Sequence, residues 1–225
     1  VDVDGGSIRI GRRVVRDVHA YSGSLPFRLV IAKSSNVGAI RIGRATGAQP
    51  LAEYARAFGF GWLTARDLPY PSRGALLRPT DRWSETALAS VSMGYQVGVT
   101  PMQMVAAAGA IANGGLLYEP HVVRAVLTGR ERRPTSIRAL HRVVSPETAA
   151  TLTSIMEEVV EAGTAKAARI PGYTIAGKTG TARKAAVGRR GYTDEYNASF
   201  VGFIPSRDPV FAAIVVIDAP KGKGY

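Results

Sequence analysis

The stretch PGYTIAGKTGTA, residues 171–182, combines a turn signal with a run of β-forming residues. Its opening Pro-Gly favours a turn, and the Tyr-Thr-Ile that follows favours an extended strand. Two glycines then flank Lys178 and Thr179, although glycine in a strand interior costs entropy and offers no side chain to pack. Bare backbone, one cation and two hydroxyls therefore lie together, which is typical of a sheet edge that contacts a ligand carboxylate or amide. The alternative is an ordinary exposed strand with a solvated lysine.

Two more strands follow this segment. Residues 197–204 and 210–218 are rich in β-branched and aromatic residues, and the turn sequence PSRDP at 205–209 separates them. We interpret residues 183–195 as a charged hairpin loop. Three consecutive strands with short connections predict an antiparallel sheet from Tyr173 onward.

The residues before this sheet have mostly helical patterns. A Ser or Thr followed by Pro, at residues 100–101 and again at 145–146, predicts two helix starts. An apolar stripe between Leu152 and Val160 predicts an amphipathic helix. Shorter helices are predicted at 25–33, 37–45, 51–58 and 84–91, and residues 63–82 form a long connection. The chain is thus predicted to be α+β, with a helical subdomain at about 25–163 and a sheet at about 171–220.

Composition indicates a folded globular protein. The 225 residues are 46% hydrophobic and 20% charged, which argues against disorder. The formal net charge is +12, but the basic clusters are not interleaved with aromatic residues, so we expect no nucleic-acid partner. The sequence has no cysteine and three widely spaced histidines, so we expect no disulfide, no metal site and no cofactor.

A second motif, Ser34-Ser35-Asn36, places a hydroxyl and an amide close together after the first predicted helix. On its own this triplet could simply cap the next helix. In this order, with helices between them, S-x-N and K-T-G resemble the motifs of penicillin-binding proteins and serine β-lactamases. The flanking sequences are similar to class B penicillin-binding proteins, and most of all to the septal, cell-division type. They are KSSNVG (33–38), WSETALASVSMGY (83–95), VTPMQ (99–103), ASFVGFIP (198–205) and VFAAIVVIDAP (210–220).

The resemblance implies a serine β-lactamase/transpeptidase-like fold and a peptidoglycan D,D-transpeptidase. Such an enzyme cross-links D-Ala-D-Ala stem peptides through a serine acyl-enzyme and binds β-lactam antibiotics. Ser34 would carry a proton to the leaving group, Asn36 would hold the substrate amide and orient the lysines, and Lys178 would supply positive potential. Thr179, Gly180 and Thr181 would bind the terminal carboxylate, with the Thr181 N–H in the oxyanion hole and Gly180 leaving room for substrate.

The sequence departs from this family at the nucleophile. The family carries it in an S-x-x-K element, and no serine here is followed three residues later by lysine. We therefore interpret residues 1–225 as part of a transpeptidase domain, incomplete at both ends and inactive alone. The resemblance places such a protein at the outer face of the bacterial cytoplasmic membrane, held by an N-terminal anchor outside this chain, with cell-division membrane proteins as partners.

Two other functions stay open on the residues alone. A serine β-lactamase would need a carboxylate or carbamylated lysine beside the deacylating water, and the long connection at 63–82 offers only Asp67 and Asp81. A non-catalytic fragment that binds cell-wall glycan or division proteins would show no covalent labelling by a penicillin.

Overall fold

The structure is a computed structural model that describes residues 1–65, 67–68, 72–74, 83–186, 188 and 191–221. The helices in this part of the chain are α1 (Phe27–Ala32), α2 (Asn36–Thr46), α3 (Ala48–Ala57), α4 (Glu85–Ser92), α5 (Pro101–Ala112) and α6 (Pro146–Glu161). The strands are β1 (Ser7–Ile10), β2 (Arg13–Arg16), β3 (Leu116–Tyr118), β4 (Ala125–Thr128), β5 (Glu131–Pro134), β6 (Ala139–Arg142), β7 (Ala176–Ala185), β8 (Tyr192–Ile204) and β9 (Phe211–Asp218). None of the described helices combines the length and the hydropathy that a bilayer crossing requires.

The main sheet has the order β7-β8-β9 and is antiparallel throughout. It begins later than predicted, at Ala176 instead of Tyr173, because the Tyr173 N–H donates to the Ile170 carbonyl and so closes the preceding turn. The predicted hairpin loop is also shorter. Residues 183–185 and 192–195 belong to β7 and β8, since the charged side chains of this exposed hairpin pair across the strands, as Lys184 does with Glu195 at 3.5 Å.

The remaining strands form three small antiparallel pairs, β1-β2, β3-β6 and β4-β5, that lie outside the main sheet. These pairs alternate with the helices along the chain, so the part of the chain before the main sheet contains both helices and short strands. The predicted helix starts at Thr100-Pro101 and Ser145-Pro146 are confirmed, with each hydroxyl accepting from the backbone N–H three residues on. The long connection at 63–82 lies partly outside the described residues, and so does Asp81.

Helix α6 is the element that joins the helices to the sheet. Val159 and Val160, both almost fully buried, pack in one cluster with Ala32 at the end of α1 and Ile175 just before β7. Ala32 comes two residues before Ser34, and Ile175 comes three before Lys178. Burying these side chains together therefore sets the distance between the two motifs.

A second cluster fixes the N-terminal hairpin. Ile10 and Val15 of β1 and β2 are buried against Ile40 of α2 and Ala89 of α4. Because this packing presses the hairpin onto α2, the end of β2 lies beside the N-terminus of that helix. The residues that follow β2 are thereby brought to the S-x-N segment.

Candidate active site

The two motifs meet where the α1–α2 connection lies against strand β7, and we call this junction the groove. The Lys178 ammonium donates a hydrogen bond to the Ser34 hydroxyl, with 3.0 Å between Nζ and Oγ. These residues are 144 positions apart in the chain. β7 is also the first strand of its sheet, so its outer edge has no partner strand among the described residues. The groove is thus lined by an open strand edge on one side and by the S-x-N segment on the other.

Lys178 is the most electrostatically perturbed group of the groove. Burial disfavours its charged form and lowers its pKa from 10.5 to about 8. Its ammonium is held in place by a second hydrogen bond, to the Thr179 carbonyl at 2.9 Å. A lysine in this state is mostly protonated at neutral pH, yet it can release its proton far more readily than a solvated lysine.

Ser34 has an unusual backbone conformation. Its φ is 56°, in the left-handed region that non-glycine residues seldom occupy, at a cost of about 1–3 kcal/mol. Backbone hydrogen bonds from Ser34 N to Ile31 O and from Ser35 N to Val30 O close the end of α1 around it. This conformation keeps the Ser34 hydroxyl out of the helix cap and leaves it free for Lys178.

The cap of α2 is supplied by the middle residue of the triplet. The Ser35 hydroxyl accepts from the Gly38 N–H at 2.9 Å and donates to the Asp17 carboxylate at 2.7 Å. Asp17 also accepts from the Val37 N–H at 2.9 Å. The helix-cap interpretation of S-x-N therefore applies to Ser35, whereas Ser34 contacts Lys178.

Asn36 begins α2 and directs its amide nitrogen to the end of β2. Nδ2 donates to the Arg16 carbonyl at 3.0 Å, so the amide oxygen is the part of this side chain that has no hydrogen-bond partner within the described residues. In this arrangement Asn36 can accept a hydrogen bond from a ligand N–H or a lysine.

The other K-T-G residues lie along the strand edge. The Thr179 hydroxyl is hydrogen-bonded to the Thr164 hydroxyl at 2.7 Å, and Thr181 is exposed. A Cβ added at Gly180 would lie 2.7 Å from the Ser199 hydroxyl of the neighbouring strand. The structure thus gives a packing reason for glycine at this position, in addition to the room for substrate that we expected.

Two aromatic rings pack between α4 and the β7–β8 hairpin. Tyr95, just after α4, packs edge-to-face against Tyr192 at the start of β8, with ring centroids 5.4 Å apart. Beside them the Arg183 guanidinium lies over the Tyr196 ring, 5.7 Å from its centroid. This contact joins the end of α4 to the start of β8.

Two residues near the groove carried no sequence signal. Thr164 lies beyond the end of α6 at Glu161, and its hydroxyl contacts Thr179. Asp17 directly follows strand β2, and nothing in its spacing indicated a contact with the S-x-N segment. Both contacts depend on tertiary packing, not on a local pattern.

A lysine of lowered pKa, a hydroxyl and an amide around an open strand edge are the groups that acyl-transfer enzymes of the serine type assemble. Comparison with known families agrees, because residues 4–225 match the penicillin binding protein transpeptidase domain. The chain therefore belongs to the penicillin-binding protein transpeptidase family, and its fold is the serine β-lactamase/transpeptidase α+β fold. The resemblance noted from the motifs is confirmed.

Individual relatives are identical to the chain at about a third of the aligned positions. It is 34% identical over 224 residues to stage V sporulation protein D of Bacillus subtilis, covering 98% of this chain and 33% of that protein. It is 36% identical to penicillin-binding protein PbpB of Mycolicibacterium smegmatis, covering 96% of this chain and 35% of that protein. The chain thus spans about a third of the length of these curated relatives.

Solved structures show the same fold. Penicillin binding protein 3 of Mycobacterium tuberculosis, complexed with ampicillin, superposes with a TM-score of 0.89 and 32% identity, over 96% of this chain and 50% of that one. The transpeptidase domain of penicillin-binding protein 3 from Burkholderia pseudomallei superposes with a TM-score of 0.84 and 32% identity. The superposition covers 100% of this chain and 65% of that one.

Proposed function

We propose that the groove is the substrate side of a peptidoglycan D,D-transpeptidase of the class B, cell-division type. The observation that carries this proposal is the hydrogen bond between Lys178 Nζ and Ser34 Oγ across the groove, at 3.0 Å. Relatives named peptidoglycan D,D-transpeptidases, such as PbpC of Pseudomonas aeruginosa at 33% identity, support the same activity.

The substrate would lie against β7 as an added strand. An edge strand offers unpaired N–H and C=O groups to an extended peptide, which gives affinity without sequence-specific side chains. The terminal carboxylate of a D-Ala-D-Ala stem peptide, or the carboxylate of a β-lactam, would then bind to the hydroxyls of Thr179 and Thr181 and to the charge of Lys178. Because Gly180 has no side chain, the substrate backbone can approach β7 closely.

The reaction divides into attack and leaving-group protonation. A serine hydroxyl outside this sequence would give its proton to the lysine of its own S-x-x-K element as its oxygen attacks the carbonyl carbon of the D-Ala-D-Ala bond. The Thr181 N–H helps to stabilise the oxyanion. The C–N bond then breaks, and the leaving amine takes the proton of the Ser34 hydroxyl. Lys178, with its pKa of about 8, replaces that proton through the existing hydrogen bond and is recharged by solvent.

Hydrolysis of β-lactams is the less favoured activity. Asp67 is the carboxylate of the 63–82 connection that the structure describes, and its Oδ2 accepts from the backbone N–H groups of Val122 and Val123 at 2.7 and 2.8 Å. These hydrogen bonds lower the pKa of Asp67 and hold it at the β3–β4 connection. It is thus poorly placed to act as the base for a deacylating water.

The test is covalent labelling by a fluorescent penicillin in the complete gene product that contains this chain. We expect Ser34→Ala to lower the acylation rate by roughly a hundredfold or more, the range attributed to a positioned proton carrier. Ser22→Ala, which alters an exposed serine, is the matched control and should label normally. Labelling of the Ser34→Ala protein at the wild-type rate would contradict the proposal, and no labelling of the wild-type protein would favour a non-catalytic role in binding glycan or division proteins.

By analogy with its relatives, we also propose that the complete protein works at the outer face of the cytoplasmic membrane, in septal wall synthesis. Stage V sporulation protein D and the two PbpB proteins support a role in cell-wall assembly. An N-terminal anchor and membrane partners of the division machinery belong to this proposal. Localisation of a fluorescent fusion at the septum would test it, and a uniform cytoplasmic signal would contradict it.

A further inference from the structure

We infer that Asp17 is a positioning residue of the groove: through Ser35, Val37 and the neighbouring Arg16 carbonyl it fixes the segment that carries Ser34 and Asn36. The inference concerns how the proposed transpeptidase site is assembled and rests on that function. Asp17 itself does not contact Lys178 or any K-T-G residue among its described hydrogen bonds.

Both carboxylate oxygens of Asp17 are used on the S-x-N segment. Oδ2 accepts from the Ser35 hydroxyl at 2.7 Å, and Oδ1 accepts from the Val37 N–H at 2.9 Å. Ser35 is only 2% exposed, so its hydroxyl cannot turn to water if Asp17 is removed. The carboxylate also lies at the N-terminus of α2, where the helix dipole favours a negative charge. These contacts hold the backbone on the C-terminal side of Ser34.

Arg16, the residue before Asp17, controls the direction of the Asn36 amide. Because the Arg16 carbonyl can only accept, it selects the orientation in which Nδ2 points toward it, at 3.0 Å. The amide oxygen is then left for the substrate side. Displacement of residues 16–17 would free the amide to rotate and would offer the groove a donor where an acceptor is needed.

The position of Asp17 is set by a rigid element. It follows β2 directly, and the β1-β2 hairpin is anchored by Ile10 and Val15 in the core shared with α2 and α4. The backbone N–H of Asp17 also donates to the Gly6 carbonyl at 2.9 Å. The hairpin thus holds a fixed carboxylate against a strained serine loop, which is the arrangement expected of a supporting residue in a preorganised site.

The decisive variant is Asp17→Asn in the complete gene product, with acylation by a fluorescent penicillin as the readout. Asparagine keeps the shape of aspartate but has one acceptor oxygen, so one of the two donors loses its partner. We expect the acylation rate to fall about tenfold to a hundredfold, the loss typical of small misplacement in a reacting site. Asp67→Asn is the matched control, since Asp67 also accepts from two donors but lies at the β3–β4 connection, and we expect less than about a twofold change there.

A positioning role is separated from simple destabilisation by a double-mutant cycle. If Asp17 acts through the segment that carries Ser34 and Asn36, Asp17→Asn should reduce acylation less than about twofold in a background that carries both Ser34→Ala and Asn36→Ala. If Asp17→Asn fails to fold, Ser35→Ala removes only the side-chain donor of the contact and should lower acylation about threefold to tenfold. A wild-type rate in the Asp17→Asn protein, or an undiminished effect in the background that lacks both Ser34 and Asn36, would overturn the inference.

A second readout keeps this inference distinct from the proposed function. Hydrogen–deuterium exchange of peptides covering residues 34–38 should accelerate in the Asp17→Asn protein and stay unchanged in the Asp67→Asn protein, whether or not penicillin reacts. An unlabelled wild-type protein would overturn the proposed function alone, and the exchange result would then decide the inference. Unchanged exchange in the Asp17→Asn protein would overturn the positioning role.

Discussion

Lys178 is the group of the groove whose charge is most affected by its surroundings, because its side chain is partly buried. Burial lowers its pKa to about 8, and no carboxylate offsets this through a hydrogen bond to Nζ in the described part of the chain. A shift of this size, accepted at the edge of a sheet, is typical of functional sites and uncommon among structural lysines. The Ser34 hydroxyl and the Thr179 carbonyl are the groups that hold the ammonium.

The pKa of Lys178 predicts an alkaline limit to activity. The charged form attracts the substrate carboxylate and supplies the proton to Ser34, and it is lost as the pH rises through about 8. We therefore expect penicillin acylation by the complete protein to fall about tenfold per pH unit above that value. The measurement is the acylation rate between about pH 6 and pH 10.

Lys178→Arg is the control for this pH dependence. Arginine keeps its charge throughout the same range, so the rate of this variant should be lower overall but should lose the alkaline decline. If the decline remains at the same pH in the Lys178→Arg protein, another group causes it, and Lys178 does not have the role assigned here.

The identity of the motif residues could be predicted from sequence, but their supporting contacts could not. S-x-N and K-T-G are local patterns whose residue types are dictated by chemistry, so Ser34 and Lys178 could be named before any fold was known. Asp17 and Thr164 are ordinary polar residues in sequence. Their side chains reach Ser35 and Thr179 only because the β1-β2 hairpin and the end of α6 pack where they do.

At the scale of elements, the position of α2 depends on a close approach to α4. A Cβ added at Gly43 of α2 would lie 1.8 Å from the Ser92 hydroxyl oxygen and 2.7 Å from the Ser92 Cβ. Glycine is therefore required in the middle of this helix by packing, although it lowers the intrinsic helix propensity. Because α2 carries Ser35 and Asn36 at its start, this contact helps to place the motif.

A pair of glycine substitutions tests the helix contact. Gly43→Ala should lower the free energy of unfolding by about 1–3 kcal/mol, because the added methyl group forces α2 and α4 apart. Gly109→Ala is the matched change inside α5, where a Cβ would meet nothing within 4 Å, and it should be neutral or stabilising by up to about 1 kcal/mol. Urea unfolding of both variants is the measurement, and an equal destabilisation of both would contradict this packing.

Element boundaries show where sequence patterns stop being informative. Helix starts marked by Thr100-Pro101 and Ser145-Pro146 were predictable because the cap is a local hydrogen bond. The C-terminal end of β7 and the start of β8 were not predictable. A run of charged residues indicates a solvated loop, whereas Lys184 in fact forms ion pairs with residues of β8 and β9. The start of β7 was shifted by the turn at residues 170–173.

At the scale of the whole molecule, α6 determines that the two motifs face each other. Its buried valines, Val159 and Val160, pack against Ala32 and Ile175 in one cluster. The α+β class and the sheet order were predictable from the chain order of helices and strands. The width of the groove was not, because it depends on how these side chains interlock, which no sequence period encodes.

The central claim is that Ser34 and Lys178 act together on one ligand bound along β7. A crystal structure of the complete protein acylated by ampicillin tests it most directly. We predict that the ligand carboxylate lies about 2.7–3.2 Å from the hydroxyl of Thr179 or Thr181, with Ser34 still hydrogen-bonded to Lys178 beside the reacted amide. An adduct whose carboxylate lies away from β7, or a Ser34–Lys178 separation beyond about 6 Å, would contradict the account.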